Sequence, residues 1–162
     1  MKKSTLKKLD KEDLIELLVD LSKLKKENDV FLKNKLHSDH HKMFKFYSQK
    51  INKAFCCFEL KSLKDAREAL LDFKKSKPPD NLFVDLCLYY IKCAYKLEKT
   101  DWRFQEDFYS AIENVYDMIF NLVKKNNFLK KEYKSEIKKL IKQSNEGWGH
   151  RDYLEGKFEK LK

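Results

Sequence analysis

The sequence predicts an all-α protein, and three observations predict it. Gly and Pro are scarce, three and two in 162 residues, where soluble proteins average roughly 7% and about 5%. All-β and Rossmann-type folds need many tight turns and are close to excluded. Twelve Phe, eight Tyr and two Trp carry more aromatic surface than a solvated, disordered chain. Apolar residues recur with a helical period along nearly the whole length. One domain spanning 1–162 is expected, with about seven or eight antiparallel helices in a bundle or an irregular stack of helical hairpins.

The elements follow in order. Asp10 caps the opening helix, with Glu12 and Asp13 in its first turn, where the helix dipole favours acids. Leu14, Leu17, Leu18 and Leu21 lie on one face of it. A short helix follows Asn28 or Asp29, with Val30, Leu32 and Leu36 as its apolar contacts. Asp39 opens the next, whose stripe is Phe44, Tyr47, Ile51, Ala54, Phe55 and Phe58. Ser62 with Asp65 three residues on is a capping signature before Ala66, Ala69, Leu70 and Phe73. Lys77-Pro78-Pro79 halts that helix, because a residue before proline is pushed out of the helical region. The break at 77–80 divides an N-terminal helical half from a C-terminal one.

Asp80 starts a helix from Leu82 to about Leu97 that leaves almost no polar face. A helix apolar on all sides belongs at the centre. Thr100 caps the following helix, 101–125, with the stripe Phe104, Phe108, Ala111, Ile112, Val115, Ile119 and Leu122. Asn126-Asn127 breaks it, and Leu129, Tyr133, Ile137, Leu140 and Ile141 mark another. Gly147-Trp148-Gly149 is a turn, with Gly147 placed for the left-handed conformation past a helix end. Tyr153, Leu154, Phe158 and Leu161 belong to the final helix.

The net charge of +10 comes from 33 Lys and three Arg, Arg67, Arg103 and Arg151. Residues 1–60 carry 14 basic and 9 acidic side chains, and residues 124–162 carry 12 and 6, so the excess is terminal. Such a field draws anionic partners. Lysine dominance weakens the nucleic-acid reading, since bidentate recognition prefers Arg. An AT-rich genome explains the same bias. No apolar run follows the first residues or reaches the roughly 20 residues that span a bilayer. A cytoplasmic protein without membrane attachment is expected.

Chemistry has few places to reside. Cys56, Cys57, Cys87 and Cys93 sit in apolar helical stretches and read as reduced core thiols. His37 and His41 share a helical face only if Asp39 is not a cap, so these and His40 read as solvated, with no metal site. Carboxylate pairs such as Glu106-Asp107 and Glu132 with Glu136 have lysines at helical spacing and read as salt-bridged surface. Glycines occur only at 147, 149 and 156, so no phosphate loop exists. No catalytic residue and no cofactor is expected, and the chain reads as a non-enzyme. Two candidate contact regions remain. Lys124, Lys125, Lys130, Lys131, Lys134, Lys138 and Lys142, with Lys139, form a basic flank interrupted by Glu132 and Glu136, suited to an anionic partner. Trp148, His150 and Arg151 form the other, at the C-terminal turn, where the default role of Trp148 is to plug a gap at the end of a bundle.

Leu86-x-Leu88-x-Tyr90-Ile91-x-x-Ala94, Phe108-Tyr109-Ser110-Ala111-Ile112, Asn126-Asn127-Phe128-Leu129, Tyr133, Ile137 and the closing Trp148 resemble a bacterial family known only as a domain of unknown function, number 6155. The opening Leu9-Asp10-Lys11-Glu12-Asp13-Leu14, with Leu17 and Leu18, also resembles it. The resemblance omits roughly residues 38–80. It implies a small all-helical bacterial cytoplasmic protein and supplies no activity or functional residue. Aromatic abundance beside missing catalytic constellations points to a helical binding module that meets a protein partner or itself. The alternative is sequence-nonspecific nucleic-acid binding through the lysine-rich terminal helices.

Overall fold

Helices make up every regular element among the described residues, and no strand occurs there. The computed structural model describes residues 3–37, 40–56, 62–99 and 106–161, apart from the side chains of Lys3, Asn34, Lys35, His37 and Ser62. The proposed caps Asp39 and Thr100, the stripe members Phe58 and Phe104, and Cys57 lie outside the described residues. The helices are α1 (Lys3–Leu6), α2 (Lys11–Leu24), α3 (Lys26–His37), α4 (His40–Cys56), α5 (Ser62–Lys75), α6 (Asp80–Glu98), α7 (Glu106–Lys125), α8 (Asn127–Lys142) and α9 (His150–Glu159), with one 3-10 turn at Gly147–Gly149. None is long and apolar enough to cross a membrane. The chain divides into two units, Met1–Met43 and Phe44–Lys162. The turn at 77–80 lies inside the second.

In the first unit α2 and α3 pack as a hairpin. Asp10 caps α2, its Oδ1 accepting from the Asp13 N–H at 2.8 Å. Asn28 does not open the following helix. That helix begins two residues earlier, and the Asn28 side-chain amide donates to the Leu21 carbonyl at 2.9 Å, tying α3 to α2. The hairpin has no interior, because not one residue of α2 is buried.

The second unit is a bundle around α6. Phe83, Val84, Leu86, Cys87, Leu88, Tyr90, Ile91, Ala94 and Tyr95 are all buried, so most of the circumference of α6 is covered. Helices α5, α7 and α8 pack on it, and α9 packs on α7 and α8. The ring of Phe55 on α4 meets Tyr90 edge-on at 5.0 Å, while Phe44 and Tyr47 close on Phe73 of α5. The buried face of α7 is wider than the single stripe expected. Tyr109, Tyr116, Phe120 and Val123 are buried beside Phe108, Ile112, Val115 and Ile119, because α7 meets α6, α8 and α9 at once.

The connections obey local backbone rules. After α5, Lys77 takes a positive φ of 56° and Pro79 leads into α6. Asn126 caps α8, its side chain accepting from the Phe128 and Leu129 N–H groups. The last turn differs from expectation. Gly147 is not left-handed; Trp148 (φ 56°) and Gly149 (φ 67°) are. Two successive left-handed residues reverse the chain sharply, and Gly149 bears no Cβ penalty in that role.

Candidate functional site

Three surfaces or clusters concentrate the side chains capable of recognition. The first surrounds the C-terminal turn. Trp148 is 67% exposed and plugs no gap, because the left-handed backbone at 148 turns its indole away from the bundle. The next residue but one behaves oppositely. His150 opens α9 and is fully buried. Its Nδ1 lies 2.8 Å from Glu113 Oε1 on α7, and its Nε2 lies 3.4 Å from the Tyr95 hydroxyl on α6. That hydroxyl is 3.3 Å from the hydroxyl of Tyr116. A carboxylate only accepts, so Nδ1 carries the proton of the Glu113 bond, which leaves Nε2 able to accept from Tyr95. Arg151 is half-buried and bonded within the chain. Its guanidinium pairs with Glu146 and donates to the Ser144 and Lys142 carbonyls, satisfying the end of α8.

This cluster unites a carboxylate, an imidazole and phenols, as catalytic dyads do, yet its chemistry is that of a pin. Burial pushes the Tyr95 and Tyr116 hydroxyls well up, keeping both as phenols. The Tyr109 hydroxyl is pushed up to about 12, by burial first and then by the neighbouring Glu98. Neither ring nitrogen of His150 reaches solvent. The network joins α6, α7 and α9 at a buried point. A second tie, Asp117 of α7 with Tyr153 and Lys157 of α9, fastens the same helix at the surface.

The second candidate is the basic flank. At about 100° per residue, Lys131, Lys134, Lys138 and Lys142 fall within roughly 80° of the circumference of α8. All four are exposed. Glu132 and Glu136 lie on the other flank, where Glu136 pairs with Lys92 of α6. The stripe is therefore cleaner than the linear sequence suggests. It is not free of acid, because Lys138 and Lys142 share a shallow hollow with Glu155, Phe158 and Glu159. Lys130 is half-buried, and Lys124 and Lys125 are exposed at the end of α7, where Lys124 borders a different hollow with Asp117 and Lys157. The seven lysines do not form one patch. Tyr133 anchors α8 by donating to Asp85 Oδ1 at 2.9 Å and to the Asn81 carbonyl at 3.2 Å.

The third is the apolar face of α2. Leu17, Leu18 and Leu21 of α2 are exposed, together with Ile15, Val19 and Leu24, over a range from 40% at Leu21 to 74% at Leu24. Phe31 and Leu36 of α3 are exposed as well. Sequence period reveals that a face is apolar and not whether anything covers it.

Burial pushes Cys87 far up and Cys93 up, so both stay protonated thiols, whereas Cys56, expected in the core, is exposed at the last turn of α4. Among the described residues no group of three or more His, Cys, Asp or Glu side chains converges as a metal site would require. The His37 side chain lies outside those residues. No family model, no curated protein and no solved structure matches this chain.

Two outcomes are expected. His150→Ala leaves Glu113 and Tyr95 without their buried partner and costs about 3 kcal/mol, read as a lower urea midpoint by circular dichroism. A shift no larger than that of Tyr153→Phe would mean that the network does not hold α9. Asp85 supplies a pH-dependent effect. Burial raises its carboxyl above the ordinary 3.8, with the Tyr133 hydrogen bond opposing. A raised acid binds its proton more tightly folded than unfolded, so ionised Asp85 costs stability at neutral pH, and the cost fades as pH falls through the folded pKa. Asp85→Asn is therefore at least as stable as the parent at pH 7, with the difference shrinking toward pH 4. Lower stability of the variant at pH 7 would contradict this.

Proposed function

We propose that this chain is a non-enzymatic helical interaction module whose recognition element is the α2–α3 hairpin. The exposed leucine-rich face of α2 carries the reading. Helices of this kind gain little stability alone and are normally held by burial of their apolar stripe. An apolar face of this length left open on a folded chain is the usual mark of a protein contact. Removing apolar surface from water supplies roughly 25 cal/mol per Å², which favours a helix-in-groove or helix-on-helix partner. The buried, protonated thiol of Cys87 and the enclosed His150 support the non-enzymatic half of the reading. The resemblance to the bacterial family of unknown function adds a cytoplasmic setting and no activity.

Alignment of Lys131, Lys134, Lys138 and Lys142 along α8 favours a second reading, nonspecific nucleic-acid binding. Glu155 and Glu159 beside the stripe weigh against it.

Leu17→Glu/Leu21→Glu, with helix content unchanged by circular dichroism, is expected to lose protein contacts that the parent makes in a capture experiment, copies of its own chain included. Identical profiles for parent and variant would sink the proposal. For the second reading, anisotropy of a labelled oligonucleotide across a salt series should show affinity falling linearly on a log–log plot. Lys134→Glu/Lys138→Glu should flatten that slope. No binding at low salt removes the nucleic-acid reading.

A further inference from the structure

We infer that the hollow between the C-terminal parts of α7 and α9 binds the phosphoryl group of a phosphate monoester, with Lys124, Lys160 and Asn121 as its donors. The site belongs to the second unit alone and does not depend on the α2–α3 reading.

The hollow has a volume of about 260 Å³, which admits a small ligand. Phe120 and Leu161, both buried, line it from the core side. Asn121, Lys124 and Lys160 stand exposed around it.

Lysines are common on this chain, and what distinguishes this hollow is its balance of charge. The hollow between α6 and α8 holds Lys92 and Lys139 with Glu132 and Glu136. The one between α8 and α9 holds Lys138 and Lys142 with Glu155 and Glu159. Each of these is neutral. The hollow between α7 and α9 sets Lys124, Lys157 and Lys160 against Asp117 alone.

Asp117 is engaged on both oxygens. Its Oδ1 lies 3.0 Å from Lys157 Nζ, and its Oδ2 accepts from the Tyr153 hydroxyl at 2.9 Å. The Lys157 ammonium also sits 5.0 Å from the centre of the Tyr153 ring. Lys157 is thus matched and fixed, while Lys124 and Lys160 have no carboxylate partner among the described residues. Sequence neighbours supply none. Three and four positions from Lys124 stand Phe120, Asn121, Asn127 and Phe128, and Gly156 and Lys157 stand four and three before Lys160. A cation in the last turn of a helix complements the dipole, which accounts for one lysine at each helix end. It does not account for two such ends turning their lysines into one hollow beside a third.

Two unmatched ammonium groups facing one small space fit a dianion centred on one atom. A phosphate monoester carries about −1.5 to −2 near pH 7 and offers three acceptor oxygens. Lysine meets phosphate as a point charge, and the Asn121 amide adds a neutral donor. A phosphodiester, with a single charge, leaves one ammonium unmatched. Phe120 and Leu161 provide apolar contact for the carbon side of the ester.

An NMR titration of the isotope-labelled full chain with phenyl phosphate at constant ionic strength tests this. Saturable shifts centred on Asn121, Lys124 and Lys160 are expected, with inorganic phosphate competing. Methyl phenyl phosphate, the diester, should bind about tenfold more weakly or worse. Lys124→Gln/Lys160→Gln should weaken phenyl phosphate about tenfold or more, with the remaining spectrum unchanged as the sign of an intact fold. Lys124→Arg/Lys160→Arg should retain binding, and Lys134→Gln/Lys138→Gln on α8 should leave it unaltered. Shifts that never saturate overturn the inference. So does a diester bound as tightly as the monoester, or a loss in the α8 variant equal to that in Lys124→Gln/Lys160→Gln. Phosphatidylcholine vesicles carrying phosphatidic acid separate the sources of such a group. Sedimentation with them that requires Lys124 and Lys160 assigns a lipid headgroup, and phenyl phosphate binding without it assigns a soluble ester.

Discussion

Enclosing α6 on nearly all sides is the constraint from which the second unit follows. Nine of its residues are buried, and no single neighbour covers so wide an apolar circumference. Helices α5, α7 and α8 are therefore drawn to it, and α4 closes a further side through Phe55 on Tyr90. Apart from α7, whose buried face is wider, each of those helices turns one apolar stripe inward and leaves lysines and carboxylates on the outside. The chain thus reaches high charge and a well-filled interior together, because one helix is apolar over most of its circumference and its neighbours divide their surfaces.

Helix α9 is held on a different principle. It reaches α7 after a sharp left-handed reversal and carries few apolar residues. Beside the buried Leu154 and Phe158, specific contacts fix it: Glu113, His150 and Tyr95 at a buried point, and Asp117 with Tyr153 and Lys157 at the surface. Hydrophobic burial is indifferent to small rotations, whereas a buried imidazole bridging a carboxylate and a phenol tolerates one orientation. Polar contacts therefore set the register of the last helix, as apolar burial sets the position of α6.

Much of this was legible in the sequence where the cause is local. The Asp10 cap, the break at Asn126-Asn127, the halt before Pro78-Pro79 and the apolar character of α6 depend on residues within one or two turns, and each appears as expected. Causes at long range were not legible. Glu113 is 37 positions from His150, and nothing in its neighbours on α7 marks it as a partner, so His150 read as a surface residue of a turn. The same turn misplaced Trp148, because Gly147 is the more obvious left-handed residue and the structure uses Trp148 and Gly149 instead. Glu132 and Glu136 interrupt the lysines of α8 in linear order, yet helical geometry sends Lys131, Lys134, Lys138 and Lys142 to one flank and the two acids, with Lys139, to the other. The α2 leucines show the deepest limit. Periodicity records an apolar face, while exposure depends on what stands opposite.

The exposed indole at the last turn has a consequence for the covalent chain. Trp148 stands between two glycines, in backbone outside any regular α-helix, which is where proteases that prefer aromatic residues find a substrate loop. A cut after Trp148 would sever the chain before α9, but His150, Tyr153 and Lys157 lie beyond the cut and reach partners before it, Glu113, Tyr95 and Asp117, without using the severed bond. The excised helix would stay seated as a separate peptide, much as the halves of a clipped domain remain one particle. Continuity of the backbone at this turn delivers α9 to its place and is not what keeps it there.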